Sequence, residues 1–244
     1  MHKGLILAAG RGSRMGALTD DTPKCFTTID NKCLVEWQLE ALNTSDIDEI
    51  GIITGYKKEC FKYPNHYFHN QSWASSNMVR SLTKAHTWLE KYDCIISYSD
   101  IIYPKEVVDL LTSERSDLVI SYDPNWLKLW QQRFDDPLSD AETFLQINNR
   151  LIEIGATTND INNIQGQFMG LIKTTPEGWK KIAKHISSYT EDEVNKLDMT
   201  GLLKRLISAG IEVRTVAISS WWFEVDSPSD KIVAEQFFSE ISQQ

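Results

Sequence analysis

Four residues near the start of the chain have the types and spacing of a polyphosphate-binding loop. Gly10 and Gly12 bring bare backbone amides, and Arg14 and Lys24 bring two fixed positive charges. Glycines at such a place let the main chain come close to a ligand, with N–H groups free to cradle phosphate. Two carboxylates stand far away in the chain. Asp100 follows the apolar run CIISYS (Cys94 to Ser99), and Asp226 follows Trp221-Trp222-Phe223-Glu224-Val225. An aspartate at the end of a rigid strand is well placed to hold a divalent cation over a phosphate; it is equally the ordinary N-cap of a following helix. For Asp226, the neighbours Ser227 and Asp230 compete for that capping role.

The elements that must position these residues can be read from the apolar pattern. KGLILAA, from Lys3 to Ala9, is a short apolar run bounded by glycine, the signal of a buried strand. Leu34 to Leu42 has helical spacing, with Leu34, Trp37, Leu39 and Leu42 on the apolar positions. Glu49 to Thr54 (EIGIIT) is a second buried strand, stopped by Gly55-Tyr56. Strand, helix and strand in this order predict a parallel α/β sheet with right-handed crossovers. Ligands of such sheets sit at the carboxyl ends of the strands, where Gly10 and Gly55 both fall.

Further along, His66 to Asn77 (HYFHNQSWASSN) reads as a loop or short strand, and Met78 to Tyr92 as one helix. Cys94 to Ser99 and Ser116 to Tyr122 read as strands. Asp123 to Asp140 is rich in large residues, among them Trp126, Trp130, Arg133, Phe134 and Pro137; it is either a pocket wall or the packing of an insertion. Ala141 to Ile147 and Arg150 to Ile154 alternate as a hairpin turning at Asn148-Asn149, with Glu142 on its first arm. Gln165 to Lys173 is a strand with two glycines, which often mark close approach of a ligand. Helices at Glu177–Tyr189 and Met199–Ala209, a strand at Ile211–Ile218 and a helix from Pro228 to Phe238 complete the pattern.

Composition narrows the function classes. A chain of 244 residues with 41% hydrophobic content reads as one large domain, or a domain with an insertion. The formal charge is 25 − 34 = −9, so a general nucleic-acid binder is disfavoured and an anionic substrate must be met by local cations or a metal. Cys25, Cys33, Cys60 and Cys94 have no C-x-x-C or zinc spacing and read as reduced thiols of a cytoplasmic protein. No apolar run approaches the roughly 20 residues of a membrane span. His66, His69 and His86 are irregularly spaced and read as solvated or core histidines.

Two familiar glycine motifs fail. Position 15 is Met, so no G-x-G-x-x-G is completed, and no G-x-x-x-x-G-K-[ST] occurs. Leu7-Ala8-Ala9-Gly10-Arg11-Gly12-Ser13-Arg14 with Pro23-Lys24 instead resembles the signature L-A-A-G-x-G-[ST]-R-(x)-P-K of nucleotidyltransferases that make nucleotide-activated sugars and alcohols. Glu224-Val225-Asp226-Ser227 resembles the E-[IV]-D-[ST] segment of the same superfamily. The chain looks most like its phosphocholine cytidylyltransferase group. Its middle, Trp126 to Phe144 and Gly166 to Gly170, is more similar to the cytidylyltransferases acting on phosphoglutamine in capsule phosphoramidate synthesis.

The resemblance implies an α/β fold with a Rossmann-like mixed, mainly parallel sheet of the nucleotide-diphospho-sugar transferase (GT-A-like) type. It implies a single domain over residues 1–244, with an acceptor-binding insertion around 123–175. The implied reaction transfers CMP from CTP to a small phosphorylated acceptor, releases pyrophosphate and serves surface polysaccharide modification. Leu7, Ala8, Ala9, Gly10, Gly12, Ser13, Gly55, Asn77 and Ser99 are then expected around the nucleotide. Arg14, Lys24, Asp100 and Asp226 are expected to be catalytic, with both aspartates holding Mg2+. Arg133, Glu142, Gln167, Lys173 and Glu224 are expected at the acceptor. Two alternatives stand beside this: a sugar-1-phosphate nucleotidyltransferase using UTP or dTTP, and a catalytically silent nucleotide-binding protein of the same fold.

Overall fold

The first strand, β1 (His2–Ala8), lies inside a sheet covered on both faces. The computed structural model describes residues 2–44 and 46–241; Met1, at the start of the signature stretch, Ser45 and residues 242–244 lie outside the described residues. Side chains alternate along a strand, so Ile6 and Ala8 enter one apolar layer while Leu5 and Leu7 enter the other. A small hairpin, β2 (Thr28–Ile29) and β3 (Lys32–Cys33), leads to α1 (Leu34–Leu42) and then to β4 (Ile47–Thr54) and β5 (His66–His69). The helix expected over Met78 to Tyr92 is broken into α2 (Met78–Leu82), a 3-10 turn at Thr83–Ala85, and α3 (His86–Leu89). The Thr83 hydroxyl donates to Arg80 O at 2.7 Å at the break, a local side-chain bond that competes with helical continuation.

The second half opens with β6 (Asp93–Tyr98), the two-residue β7 (Ile101–Ile102), α4 (Lys105–Ser113) and β8 (Leu118–Asp123). The tryptophan-rich stretch forms α5 (Trp126–Arg133). The hairpin follows as expected, with β9 (Glu142–Ile147) and β10 (Arg150–Thr157) turning through Asn148 and Asn149 at φ 52° and 60°. Asparagine tolerates that left-handed pair, as a tight hairpin needs. Then come β11 (Gln167–Thr174), α6 (Pro176–Ile186), α7 (Glu191–Lys196), α8 (Met199–Ser208), β12 (Arg214–Ala217), β13 (Phe223–Glu224) and α9 (Pro228–Ile241). β12 is shorter than the expected strand because Ile211 N still bonds back to Leu206 O of α8.

The large sheet has the order β5-β4-β1-β6-β11-β8-β12-β10-β9. β10 and β11 run against the other strands, so the sheet is mixed and mainly parallel, as the sequence implied. Side chains of α1, α4, α5 and α9 fill one face, and those of α2, α3, α6 and α8 the other. Gly166 and Gly170 make room for the rings of Tyr122 and Tyr98; the ligand approach expected from them is taken by protein.

The start of α9 fixes the C-terminal carboxylate. Asp230 Oδ2 accepts from Ser227 N at 2.9 Å and Asp226 N at 3.0 Å, and Ser227 Oγ accepts from Asp230 N at 3.2 Å. This reciprocal cap relieves the Asp226 carboxylate of the capping role. Arg133, at the end of α5, donates Nε to Asp230 Oδ1 at 2.9 Å and its other arm to Glu224 Oε2 at 2.8 Å. Burial works against the charge of Asp230, but Arg133, the Ser227 hydroxyl and the Asp226 N–H together hold its carboxyl below the usual range.

Asp230→Ala is therefore expected to cost about 3 kcal/mol in urea denaturation at pH 7, because it removes one of the two carboxylate partners of a buried arginine and uncaps α9. A group with a depressed native pKa stabilises above its unfolded value and loses that contribution as pH falls through the native one. The gap between wild type and variant should thus close below about pH 4. A gap that stays constant through that range would show that ionisation of Asp230 is irrelevant to stability.

Candidate active site

The loop after β1 is held in shape by its own backbone. Lys24 N donates to Arg11 O at 3.2 Å, and Thr19 Oγ1 lies 3.2 Å from both Gly12 O and Gly16 O. Arg11 pairs with Asp20 at 2.5 Å, and Tyr56 Oη donates to Thr19 O at 3.1 Å. Gly12 has φ +78°, and a Cβ there would lie 2.4 Å from Lys24 Cβ. The glycine is required twice, for its left-handed backbone and for the passage of the lysine stem.

That stem delivers an ammonium to the two distant aspartates. Lys24 Nζ donates to Asp100 Oδ2 at 2.6 Å and also to Asp226 Oδ1. Arg14 reaches Asp226 Oδ2 at 2.8 Å from the opposite side, with its own side chain 70% exposed. The aspartates meet because β13 pairs with β7, Glu224 opposite Ile101, and Val225 N donates to Asp100 O at 2.9 Å. Neither is a helix cap: β7 follows Asp100, and Ser227 with Asp230 caps α9. Burial disfavours the Lys24 charge, but Asp100 and Asp226 outweigh it and hold its pKa above the usual lysine value.

Carboxylate oxygens of Asp100, Glu224 and Asp226 lie within 4.8 Å of one another. Asp100 Oδ1 is buried without a hydrogen-bond partner. An all-oxygen donor set with one oxygen left over fits a hard divalent cation. Burial, then the neighbouring charge of Asp226, push the Glu224 carboxyl up to about 7 against the pull of Arg133.

Two cavities meet at this cluster. The first, of about 290 Å³, is lined by Leu7, Ala9, Gly10, Gly12, Lys24, Asn77, Ser99 and Asp100. The second, of about 250 Å³, is lined by Glu142, Gln167, Glu224 and Asp226. Arg14 and Met78 line both. A larger open groove of about 660 Å³ beside α5, with Leu127, Trp221 and Phe237 in its walls, shares no residue with either.

Several expected site residues are placed differently. Ala8 points into the apolar layer opposite Leu7 and is 1% exposed. Ser13 opens a 3-10 helix and lines neither cavity. Gly55 sits behind the first cavity, where a Cβ would come within 2.5 Å of Ala9 O and Trp73 Cβ. Lys173 belongs to the other end of the sheet: its register partners are Ile95 and Val119, and Nζ donates to Glu114 O. Arg133 is spent on Glu224 and Asp230, so it orients an acidic residue and is not free for an acceptor anion. Gln167 lines the second cavity, but its amide is engaged with the Glu142 main chain.

Other lining residues were missed in the sequence. Trp73, Ser76 and Ser81 enter the first cavity, and Tyr98, Asp140, Phe144 and Asp198 the second, beside Trp130 from the stretch read as a pocket wall or an insertion. The polar and aromatic run from His66 to Asn77 carried a signal for Trp73 and Ser76. Asp198 read only as a residue before a helix, which it also caps by accepting from Gly201 N at 2.7 Å. The histidines converge on no common site: His86 Nδ1 accepts from Trp179 Nε1 and His69 Nδ1 faces Thr54 O.

Residues 4–141 match the MobA-like NTP transferase domain. The chain belongs to this family. The CTP:phosphoglutamine cytidylyltransferase of Campylobacter jejuni is 35% identical over 93% of this chain and 96% of its own length. Among solved structures, the inositol-1-phosphate CTP transferase of T. maritima superposes with a TM-score of 0.77 at 18% identity, covering 99% of this chain and 96% of the other. The CTP:phosphocholine cytidylyltransferase of Streptococcus pneumoniae gives 0.74 at 22% identity, covering 97% and 98%. At those identities the two structures establish the fold of this family member.

In this NTP transferase the lysine is a structural element of the site as well as a charge. Lys24→Ala leaves the buried Asp226 and the half-buried Asp100 facing each other beside Glu224, and a loss of about 3–5 kcal/mol at neutral pH is expected. Thermal denaturation near pH 5 should show a smaller deficit, since Glu224, raised to about 7, is then protonated and one charge of the uncompensated cluster is gone. An unchanged melting temperature at neutral pH would show that Arg14 alone neutralises the pair.

Proposed function

We propose that this protein is a cytidylyltransferase that transfers CMP from CTP to a small phosphorylated acceptor carrying a cationic group, with release of pyrophosphate and with magnesium. The observation that carries the reading is the junction of two cavities at one cluster of Lys24, Arg14, Asp100 and Asp226. One cavity begins at a glycine loop suited to polyphosphate; the other is acidic and aromatic. The 35% identity to a CTP:phosphoglutamine cytidylyltransferase over nearly the whole chain supports the same reading.

The acceptor cavity favours an ammonium over a bare sugar. Asp140, Glu142 and Asp198 stand around it with Trp130, Tyr98 and Phe144. Desolvation, then the charges of Asp198 and Asp140, raise the Glu142 carboxyl above its usual range, so a cationic ligand is welcome there. Phosphoglutamine, phosphocholine and 2-aminoethylphosphonate all carry such a group. Much of this wall, from Trp130 to Phe168, comes from the 123–175 segment, which we assign as an acceptor-binding insertion within a single nucleotidyltransferase domain.

In the reaction, an acceptor phosphate oxygen attacks the α-phosphorus of CTP. The new P–O bond forms as the bond to the bridging oxygen breaks, and pyrophosphate departs with that oxygen. The amides of Gly10 to Gly12 hold the phosphates. Lys24 and Arg14 carry fixed positive charge to the point where negative charge grows, the preorganised stabilisation that lowers such barriers. Asp100 and Asp226, with Glu224 adjoining, would hold magnesium, which supplies Lewis-acid polarisation of the α-phosphate and a template for the acceptor. A reaction that consumes CTP places the protein in the cytoplasm, and the activated product suits surface polysaccharide modification, as the resemblance implies. Among the described residues, no helix is long and apolar enough to cross a membrane.

The test is incubation with CTP, magnesium and a mixture of phosphoglutamine, phosphocholine and 2-aminoethylphosphonate, with products identified by mass and pyrophosphate release followed over CTP, UTP and dTTP. A CDP- or CMP-linked product is expected. Release with sugar 1-phosphates and UTP or dTTP instead would make the protein a sugar-nucleotide enzyme, and no release with any nucleotide would make it a silent binder. Asp100→Asn and Asp226→Asn should each lower turnover by about 10²-fold or more while the circular dichroism spectrum stays native. Near-wild-type turnover in either would remove that aspartate from the mechanism.

A further inference from the structure

Asn70 is fully buried at the end of β5, and the mechanism above makes no use of it. Each of its polar groups is engaged. Its N–H donates to Thr54 O at 2.8 Å, and its Oδ1 accepts from Ser72 N at 3.1 Å. A backbone N–H can only donate, so that contact fixes which end of the amide is oxygen. Nδ2 therefore points the other way, donating to Ser76 Oγ and to Ser81 Oγ, each at 3.0 Å.

Both serines line the cavity that holds Gly10, Gly12 and Lys24. A hydroxyl has one hydrogen, and here each is already used. Ser76 Oγ donates to Ser72 O at 2.7 Å, and Ser81 Oγ donates to Asn77 O at 3.4 Å. With the amide of Asn70 donating to it and its own hydrogen on a carbonyl, each oxygen has only a lone pair left to offer. Asn77, the residue expected near the base, has its amide turned by the main chain: its Oδ1 accepts from Met78 N at 2.8 Å and one hydrogen of its Nδ2 goes to Lys196 O at 3.4 Å.

We propose that Ser76 and Ser81 set nucleotide choice as hydrogen-bond acceptors toward the base, their hydrogens held by the Ser72 and Asn77 carbonyls and their oxygens placed by Asn70, a positioning residue. The inference rests on the cytidylyltransferase reading and gives it a physical basis. The 4-amino group of cytosine donates to such oxygens. The 4-oxo group of uracil or thymine meets a lone pair with a lone pair, and neither hydroxyl can turn to donate without abandoning a backbone carbonyl. A polar atom left unpaired in a closed site is discriminated against by about tenfold or more.

The test is the ratio of dissociation constants for CTP and UTP, measured by isothermal titration calorimetry on the whole chain in magnesium buffer, which needs no acceptor. Wild type should bind CTP more tightly. Ser76→Ala and Ser81→Ala should reduce the preference, the two together by about tenfold. Asn70→Ala leaves both hydroxyl hydrogens on their carbonyls but lets the oxygens shift, so the CTP preference should fall through weaker CTP binding while UTP affinity stays unchanged, whereas a merely loosened structure would weaken both. A wild-type preference for CTP that survives unchanged in both serine variants overturns the relay and leaves the cytidylyltransferase reading standing. Tighter binding of UTP by wild type, or binding of neither nucleotide, overturns both.

Discussion

One ammonium shared between two carboxylates governs the site. Asp100 and Asp226 come from distant parts of the chain and would repel each other if both were charged and unpaired. Lys24 Nζ between them removes that repulsion in a place water reaches poorly. Much else follows from the need to put it there. Gly12 lacks a side chain because the lysine stem occupies its space. The two-residue strands β7 and β13 exist to bring the aspartates together. Asp230 takes over the capping of α9, which keeps the Asp226 carboxylate available.

What the sequence revealed and what it hid divide along physical lines. The loop from Leu7 to Lys24 was legible because its requirements are local: a strand, bare amides and two cations in one short stretch. Asp100 and Asp226 were legible as strand-end carboxylates, although only the fold shows that neither caps a helix. Ala8 could have been excluded from the nucleotide by alternation along β1, since Leu7 and Ala9 share the opposite side. Arg133 and Lys173 were misread because a cation's partners are set by tertiary contacts. The partners of Arg133, Glu224 and Asp230, lie near the end of the chain, and Lys173 turns to the Glu114 carbonyl. No spacing in the sequence carries that information.

The second cavity was the least legible part. Its walls come from β6, α5, β9, β11 and the start of α8, each contributing one to three residues. The strand β9 lies at the edge of the sheet, and its open side is closed by glutamines. Gln167 bonds both main-chain groups of Glu142, Gln165 N donates to Phe144 O, and the Gln165 side chain accepts from Gln146 N. An unpaired strand edge is a template for unwanted pairing. Here side chains satisfy it, and the same bonds fix the start of β9, so Glu142 is presented from a rigid base. Edge protection and the placing of Glu142 on the cavity wall are thus served by one set of contacts.

Arg14 and Lys24 carry the same charge to the same aspartate, yet their environments make them different devices. Lys24 is buried and held by two carboxylates, so moving it uncovers unpaired charge, which costs about 3–5 kcal/mol. Arg14 is 70% exposed, and an ion pair with one partner largely in water contributes only about 0–1 kcal/mol. A phosphate entering either cavity can therefore draw Arg14 from Asp226 at little cost, while Lys24 stays. Arg14 lines both cavities, which places this easily released cation where the proposed reaction would bring nucleotide and acceptor phosphates together. The fixed charge sets the geometry of the site, and the loosely held one is free to follow the phosphates.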